Sequence, residues 1–341
     1  MKLALFDTHQ YDRESFAGAT ANQGGRHAIA YFEPRLTRDT ALLAQGFEAV
    51  CSFVNDHLDA NALEIIHRGG TRLVTLRSAG YNHVDLIAAA RLGLTVTRVP
   101  EYSPHAVAEH AVALVMTLNR KIHRAHARVR ELNFSLDGLV GFDLYGKTVG
   151  IIGTGRIGRA AARIFNGFGC RILAFDSAPN ATLASEIGAR YVTLPELYRE
   201  SDVISLHIPL TPSTRHLIDA QALAAMKPKV MLVNTGRGAL IDSQALVDAL
   251  KTSQIGAAAL DVYEEEEGVF FQDLSSRILQ DDVLARLLTF PNVLITSHQG
   301  FLTTEALENI ARVTLENVTA FETGADLRNQ VRAEGIATAK T

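Results

Sequence analysis

Residues 149–166 read VGIIGTGRIGRAAARIFN, with glycines at 153, 155 and 158. The spacing alone is weak, because many strand-to-helix turns carry glycine, so the surroundings decide. The apolar run TVGII precedes the turn, and RIGRAAARIF follows with apolar residues at helical spacing. A second apolar run, RILAF, ends at Asp176, about 20 residues on, where dinucleotide-binding units place an acid for the ribose hydroxyls. Gly153 permits the tight turn, Gly155 lets the backbone approach a pyrophosphate, and Gly158 lets helix and strand pack closely. The helix N-terminus offers unpaired N–H groups and partial positive charge to phosphates. The stretch predicts a dinucleotide site. NAD is preferred to NADP, because Asp176 repels a 2′-phosphate and Ser177-Ala178 supply no Arg to receive one.

Outward from this turn, short apolar runs rich in β-branched residues alternate with helical patterns, the signature of parallel sheets covered by helices on both faces. Strands are expected near 2–7, 27–33, 49–54, 72–77 and 94–100, and again near 148–153, 171–176, 189–195, 203–209, 230–235, 257–262 and 292–297. A chain of 341 residues suits two domains. After Pro100, the stretch from Glu101 to Ala125 repeats apolar residues at three and four and reads as one long helix started by Ser103 or Pro104. The tail from Thr303 to about Gly324 is helical again, capped by Thr303, and no strand is expected after it. A terminal helix that returns to the first sheet makes the middle segment an insertion. The expected domains are 1–102 plus 299–341, and 103–298.

Composition excludes several classes. The net charge is -4, without the basic excess of a nucleic-acid binder. The basic run RKIHRAHARVR at 120–130 reads as a helix with a solvated face. No run approaches the ~18 apolar residues of a membrane span, and the N-terminus lacks a signal-peptide pattern. Cys51 and Cys170 lie in apolar surroundings outside any Cys/His cluster. They read as free thiols in a reducing, cytoplasmic compartment, with no metal site indicated.

Hydride transfer to a carbonyl needs a handle for the substrate, a cation to polarise the oxygen and a proton source. In open α/β sheets these belong at the C-terminal ends of strands. Arg237, in VNTGRG, lies just past one such end, and its planar fork can grip a carboxylate and a carbonyl together. The alternative is an Arg on a solvated turn. His298 follows the last strand and is either a general acid or a structural residue. Glu264 to Glu267 lie past another end; spacing does not say which, if any, faces His298. Past a strand end of the first domain, Ser78, Ala79 and Gly80 leave backbone N–H groups for an anion, or form a plain turn. Tyr102 lies where the chain passes from one domain to the other. His207 ends a strand near the cofactor crevice and lines it, whereas His105, His110, His123 and His126 read as packing or surface residues of the long helix.

The segments RSAGYNHVDL, AVAEHAVALVMTLNRKIHRA, NFSLDGLVGFDLYGKTVGIIGTGRIG, SDVISLHIPLTPSTRHLI, VNTGRGALID, LDVYEEEEGVFFQDLSSRILQDDV and NVLITSHQGFLTTEAL together resemble the D-isomer-specific 2-hydroxyacid dehydrogenases. VFFQDLSSRILQDDV favours the branch of bacterial fermentative D-lactate enzymes over the phosphoglycerate or glyoxylate branches. The resemblance covers nearly the whole chain. It implies an α/β fold of two doubly wound parallel-sheet domains, a flavodoxin-like substrate domain and an inserted Rossmann NAD-binding domain. It places the carboxylate five residues after Asp261, at Glu266, and makes Arg237, Glu266 and His298 the catalytic set. It implies that Ser78-Ala79-Gly80 and Arg237 hold the substrate carboxylate, that Tyr102 and Phe301 line the substrate pocket, and that Arg156, Ile157, Asp176, Pro209, Thr214, Thr235, Gly236 and Asp261 contact NAD(H). Close relatives often carry Cys where Ser78 stands. The implied activity is reversible NADH-dependent reduction of pyruvate to D-lactate by a homodimer or homotetramer. Phenylpyruvate, hydroxypyruvate or glyoxylate remain open as substrates, and a non-catalytic NAD-sensing protein remains as a second class.

Overall fold

The computed structural model describes residues 1–333. Residues 334–341, the end of the stretch that the sequence gives to the first domain, lie outside the described residues. The chain divides into two compact units, Met1–Ser103 with the chain from Phe301 onward, and Pro104–Gly300.

The first unit carries β1 (Lys2–Leu5), β2 (Ala28–Tyr31), β3 (Ala49–Ser52), β4 (Leu73–Leu76) and β5 (Thr95–Arg98). These are parallel in the order 2-1-3-4-5, the doubly wound flavodoxin-like order. Alternation along β1 shows why the sheet is covered twice. Leu3 and Leu5 join Phe16, Leu315 and Val318 on one face, while Ala4 and Phe6 join Leu63, Ile66 and Leu86 on the other.

The second unit carries β6 (Thr148–Ile152), β7 (Arg171–Phe175), β8 (Arg190–Tyr191), β9 (Val203–Leu206), β10 (Val230–Asn234), β11 (Ile255–Leu260) and β12 (Val293–Ile295). All are parallel in the order 8-7-6-9-10-11-12. This is the Rossmann arrangement, with the direction of winding reversing between β6 and β9. A ligand crevice belongs at that reversal, outside the carboxyl ends of the strands.

Two expectations need correction. A strand does follow the terminal helix Thr304–Thr323: β13 (Gln330–Val331) pairs antiparallel with β5. Gly324, in the left-handed region at φ +69°, ends that helix and lets the chain return. A two-residue strand has no period to read in sequence. The long helix is also two helices, Pro104–Asn119 and Ile122–Arg130. The side chain of Asn119 is turned to the returning chain, where its Nδ2 donates to Phe142 O (2.7 Å) and its Oδ1 accepts from Phe142 N (2.9 Å). Lys121 adopts a left-handed conformation at the break.

Candidate active site

The glycine turn joins β6 to the helix Arg156–Gly167. A Cβ on Gly158 would stand 1.9 Å from Gly153 O, so only glycine allows this helix to sit so close to the strand end. Gly153 has φ +92°, and a Cβ there would stand 2.5 Å from His207 O. Gly155 faces open space, which leaves room for a ligand against its backbone. Arg156, exposed, and Ile157, half-buried, open the helix.

Asp176 follows β7 and meets the turn: its Oδ2 accepts from Thr154 N (2.6 Å) and Thr154 Oγ1 (3.0 Å), and its Oδ1 from Ala178 N (2.9 Å). Burial alone would raise this carboxyl's pKa, but the N–H groups of Ala178 and Thr154 outweigh it and hold the acid below its usual range. An ionised acceptor therefore stands beside the turn. Thr235, after β10, is buried with no partner for its hydroxyl, an opening that a ligand group can fill. These features fit a bound dinucleotide, with the pyrophosphate at the glycine turn and a ribose at Asp176.

The remaining strand ends carry the other predicted residues. After β9, His207 Nε2 meets Ser205 Oγ (2.9 Å), and burial pushes the imidazole down to about 4, so it is neutral near pH 7. In the following loop Thr214 Oγ1 donates to Pro209 O (2.7 Å). After β10, Gly236 N donates to Asn234 Oδ1 (3.0 Å), Asn234 Nδ2 donates to Arg237 O (2.9 Å), and Arg237 Nη1 donates to Gly236 O (2.7 Å). Among the described residues no carboxylate forms an ion pair with Arg237.

The four glutamates are separated by geometry. Glu264 Oε1 is taken by Arg215 (2.8 Å) and His216 (2.6 Å). Glu266 turns the other way, its Oε1 2.9 Å from His298 Nδ1 and its Oε2 accepting from Tyr263 N (3.2 Å). An ionised carboxylate only accepts, so His298 Nδ1 carries a proton and Nε2 is the nitrogen left for proton exchange. His298 has φ +50°, a conformation that costs a non-glycine residue about 1–3 kcal/mol and persists only where surrounding bonds impose it. Its N–H donates to Asp261 O (2.7 Å).

Asp261, after β11, is 1% exposed, and both its carboxylate oxygens are engaged within the unit. Oδ1 accepts from Thr296 Oγ1 (2.6 Å), Gln299 N (2.9 Å) and His110 Nε2 (3.1 Å), and Oδ2 from Gly300 N (2.8 Å). The sequence reads His110 as a packing or surface residue of the long helix, and the structure joins it to Asp261. Its partner lies 151 positions on in the chain, out of reach of any local pattern.

In the first unit the strand ends are organised by Arg77, 1% exposed after β4. Its Nε donates to Asp12 Oδ1 (3.1 Å), its Nη2 to Asp7 O (2.5 Å), and its guanidinium stacks over the Phe53 ring at 4.5 Å. The turn Ser78-Ala79-Gly80 follows directly, tied by Ser78 Oγ donating to Gly80 O (2.7 Å) and by Arg98 Nη1 donating to Ala79 O (2.9 Å). Phe301 packs edge-on against Phe53 (5.7 Å) and Tyr11 (6.2 Å). Tyr102 is half-buried, and its carbonyl accepts from Asn309 Nδ2 (2.7 Å).

Residues 112–300 match the family described as D-isomer specific 2-hydroxyacid dehydrogenase, NAD binding domain. The chain is 52% identical to the D-lactate dehydrogenase of Escherichia coli (strain K12) over 331 residues, 97% of this chain and 100% of that one. The apo-structure of D-lactate dehydrogenase from Escherichia coli superposes with a TM-score of 0.89 at 51% identity, covering 97% of this chain and 100% of that one. The pyruvate reductase of Chlamydomonas reinhardtii gives a TM-score of 0.91 at 44% identity, covering 96% and 98%. The chain belongs to the D-isomer specific 2-hydroxyacid dehydrogenases, and Pro104–Gly300 contains their NAD binding domain.

Proposed function

We propose that this chain is an NADH-dependent dehydrogenase that reversibly reduces pyruvate to D-lactate. The observation that carries the reading is the His298–Glu266 pair at 2.9 Å, in the same unit as the glycine turn and in a chain half identical to a D-lactate dehydrogenase over its length. NADH, when bound, supplies the hydride.

The chain's own residues do the rest. Gly153 to Gly158 hold the cofactor's pyrophosphate and Asp176 its ribose, with Arg156, Ile157, His207, Pro209, Thr214, Thr235 and Gly236 around it. Backbone N–H groups of Ser78, Ala79 and Gly80, with Arg237, take the substrate carboxylate. Arg237 also polarises the keto oxygen, because a guanidinium stabilises charge that develops there. His298, protonated on both nitrogens and steadied by Glu266, passes its Nε2 proton to that oxygen. In the reverse direction the neutral ring takes the proton from the 2-hydroxyl group. Tyr102 and Phe301 bound the small side chain. The unit built on β1–β5 is the substrate domain and Pro104–Gly300 the cofactor domain.

The working form we propose is a homodimer or homotetramer in the cytoplasm. Leu132, Phe134, Leu136, Val140 and Tyr145 are all exposed within a short stretch of the cofactor unit, apolar surface that a second subunit can cover. Light scattering on the purified chain tests this, and a monomer at micromolar concentration contradicts it. Among the described residues no helix is long and apolar enough to cross a membrane. Buried, unpaired Cys51 and Cys170 suit a reducing compartment.

NADH oxidation with pyruvate, phenylpyruvate, hydroxypyruvate and glyoxylate, with the lactate assayed by enantiomer, tests the substrate. The highest kcat/KM with pyruvate and a D product support the reading. A preference for a bulkier or hydroxylated acid overturns the substrate and keeps the chemistry. NADH binding without turnover on any acid points to a sensor.

A further inference from the structure

We infer that His110 is a positioning residue for His298, acting through the carboxylate of Asp261. The inference rests on the reading of His298 as the proton donor. Three successive backbone N–H groups end on one residue: His298 N on Asp261 O (2.7 Å), Gln299 N on Oδ1 (2.9 Å) and Gly300 N on Oδ2 (2.8 Å). The Asp261 carboxylate is thus a clamp on the backbone that carries His298, and it imposes the left-handed conformation at that residue.

The clamp works only while the carboxylate plane is fixed. On the Oδ1 side two side chains fix it. Thr296 Oγ1 donates at 2.6 Å from the same loop. His110 Nε2 reaches it at 3.1 Å from the helix Pro104–Asn119, and lies 3.2 Å from Thr296 Oγ1. His110 is therefore the side chain that ties the clamp to a rigid helix rather than to the loop itself. Its side chain is 16% exposed. Gly300 shows how close the parts stand: a Cβ there would lie 3.0 Å from Asp261 Oδ2 and 3.5 Å from His110 Cδ2.

Loss of the His110 donor frees the carboxylate to rotate, loosens the Gln299 and Gly300 bonds, and lets His298 drift from Glu266. Small displacements of a proton donor cost rate far more than they cost binding. His110→Leu is expected to lower kcat for pyruvate reduction about tenfold with KM for pyruvate and NADH affinity within about twofold. His110→Gln, which places an amide N–H near the position of Nε2, is expected to restore most of the rate. In the chain without cofactor, the Gln299 and Gly300 amides are expected to exchange hydrogen faster in His110→Leu than in the native chain or His110→Gln. A folded His110→Leu with native kcat and native exchange overturns the inference, as does a loss of rate that Gln does not repair. If His110→Leu does not fold, His110→Asn, a polar side chain too short to reach Asp261 Oδ1 from the position of Nε2, takes its place, and native exchange at Gln299 and Gly300 in that variant overturns it. An inactive native chain would refute the functional reading instead, and the exchange comparison would still decide whether the clamp exists.

Discussion

The two sheets are built alike and use their strand ends in opposite ways. In the unit of β1–β5 the charged groups are turned inward. Arg77 and Asp12 form an ion pair with side chains only 1% and 5% exposed. Burial works against the Arg77 charge, but Asp12 and its acidic neighbours outweigh that and push its pKa up. The rings of Phe53 and Phe301 at this edge are buried as well, at 5% and 8% exposure. In the unit of β6–β12 Asp261 is as buried as Arg77, but the pair of His298 and Glu266 is only partly covered, at 16% and 20% exposure. A buried ion pair held by several hydrogen bonds makes a rigid holder, while a partly exposed imidazole can exchange protons. In the function we propose, one doubly wound sheet serves as a grip and the other as the reactive face, and each prediction below presses on one side of that division.

The largest effect is expected at the glycine turn. Gly158→Ala puts a Cβ 1.9 Å from Gly153 O, so turn and helix must separate and NADH binding, measured by fluorescence titration, should vanish. Retained binding would break the claim that this close approach makes the cofactor site. On the gripping side, Asp12→Ala leaves the buried Arg77 charge without its partner. It should cost about 3–5 kcal/mol in denaturant unfolding. A loss below about 1 kcal/mol would mean the pair behaves like an exposed one.

A smaller effect is expected at His207, whose pKa burial lowers from 6.5 to about 4. As pH falls through 6.5 the unfolded chain takes up a proton that the folded chain refuses, so stability drains away between pH 6.5 and about 4. His207→Gln should flatten that part of the stability curve, and an unchanged curve would show that the native ring titrates normally. The smallest effect is expected for Ser78→Cys. It weakens the hydroxyl bond to Gly80 O and keeps the backbone N–H groups, so KM for pyruvate should stay within about twofold. A large rise would give the side chain a direct role.

Much of this division was legible in the sequence. The glycine spacing with flanking strands and Asp176 pointed to a dinucleotide site, because each part has its own local signature. Arg237 and His298 were legible as strand-end residues, though only the resemblance gave them roles. Glu266 was not separable from its neighbours by spacing, since a run of four glutamates carries no direction. Arg215 and His216 occupy Glu264, a contact that depends on the folded loop. The Arg77–Asp12 pair and the His110–Asp261 contact join residues far apart in the chain, and no local pattern records them. The short β13 escaped for the opposite reason, being too brief for a period to show.

The most direct test of the division between grip and reactive face is His298→Ala, with kcat for pyruvate reduction and NADH affinity measured on one preparation. Loss of a general acid predicts a fall in kcat of about 10²–10⁴-fold, with NADH affinity within about twofold of native. Near-native turnover in that variant would contradict the assignment of the proton to His298 and move the chemistry elsewhere in the molecule.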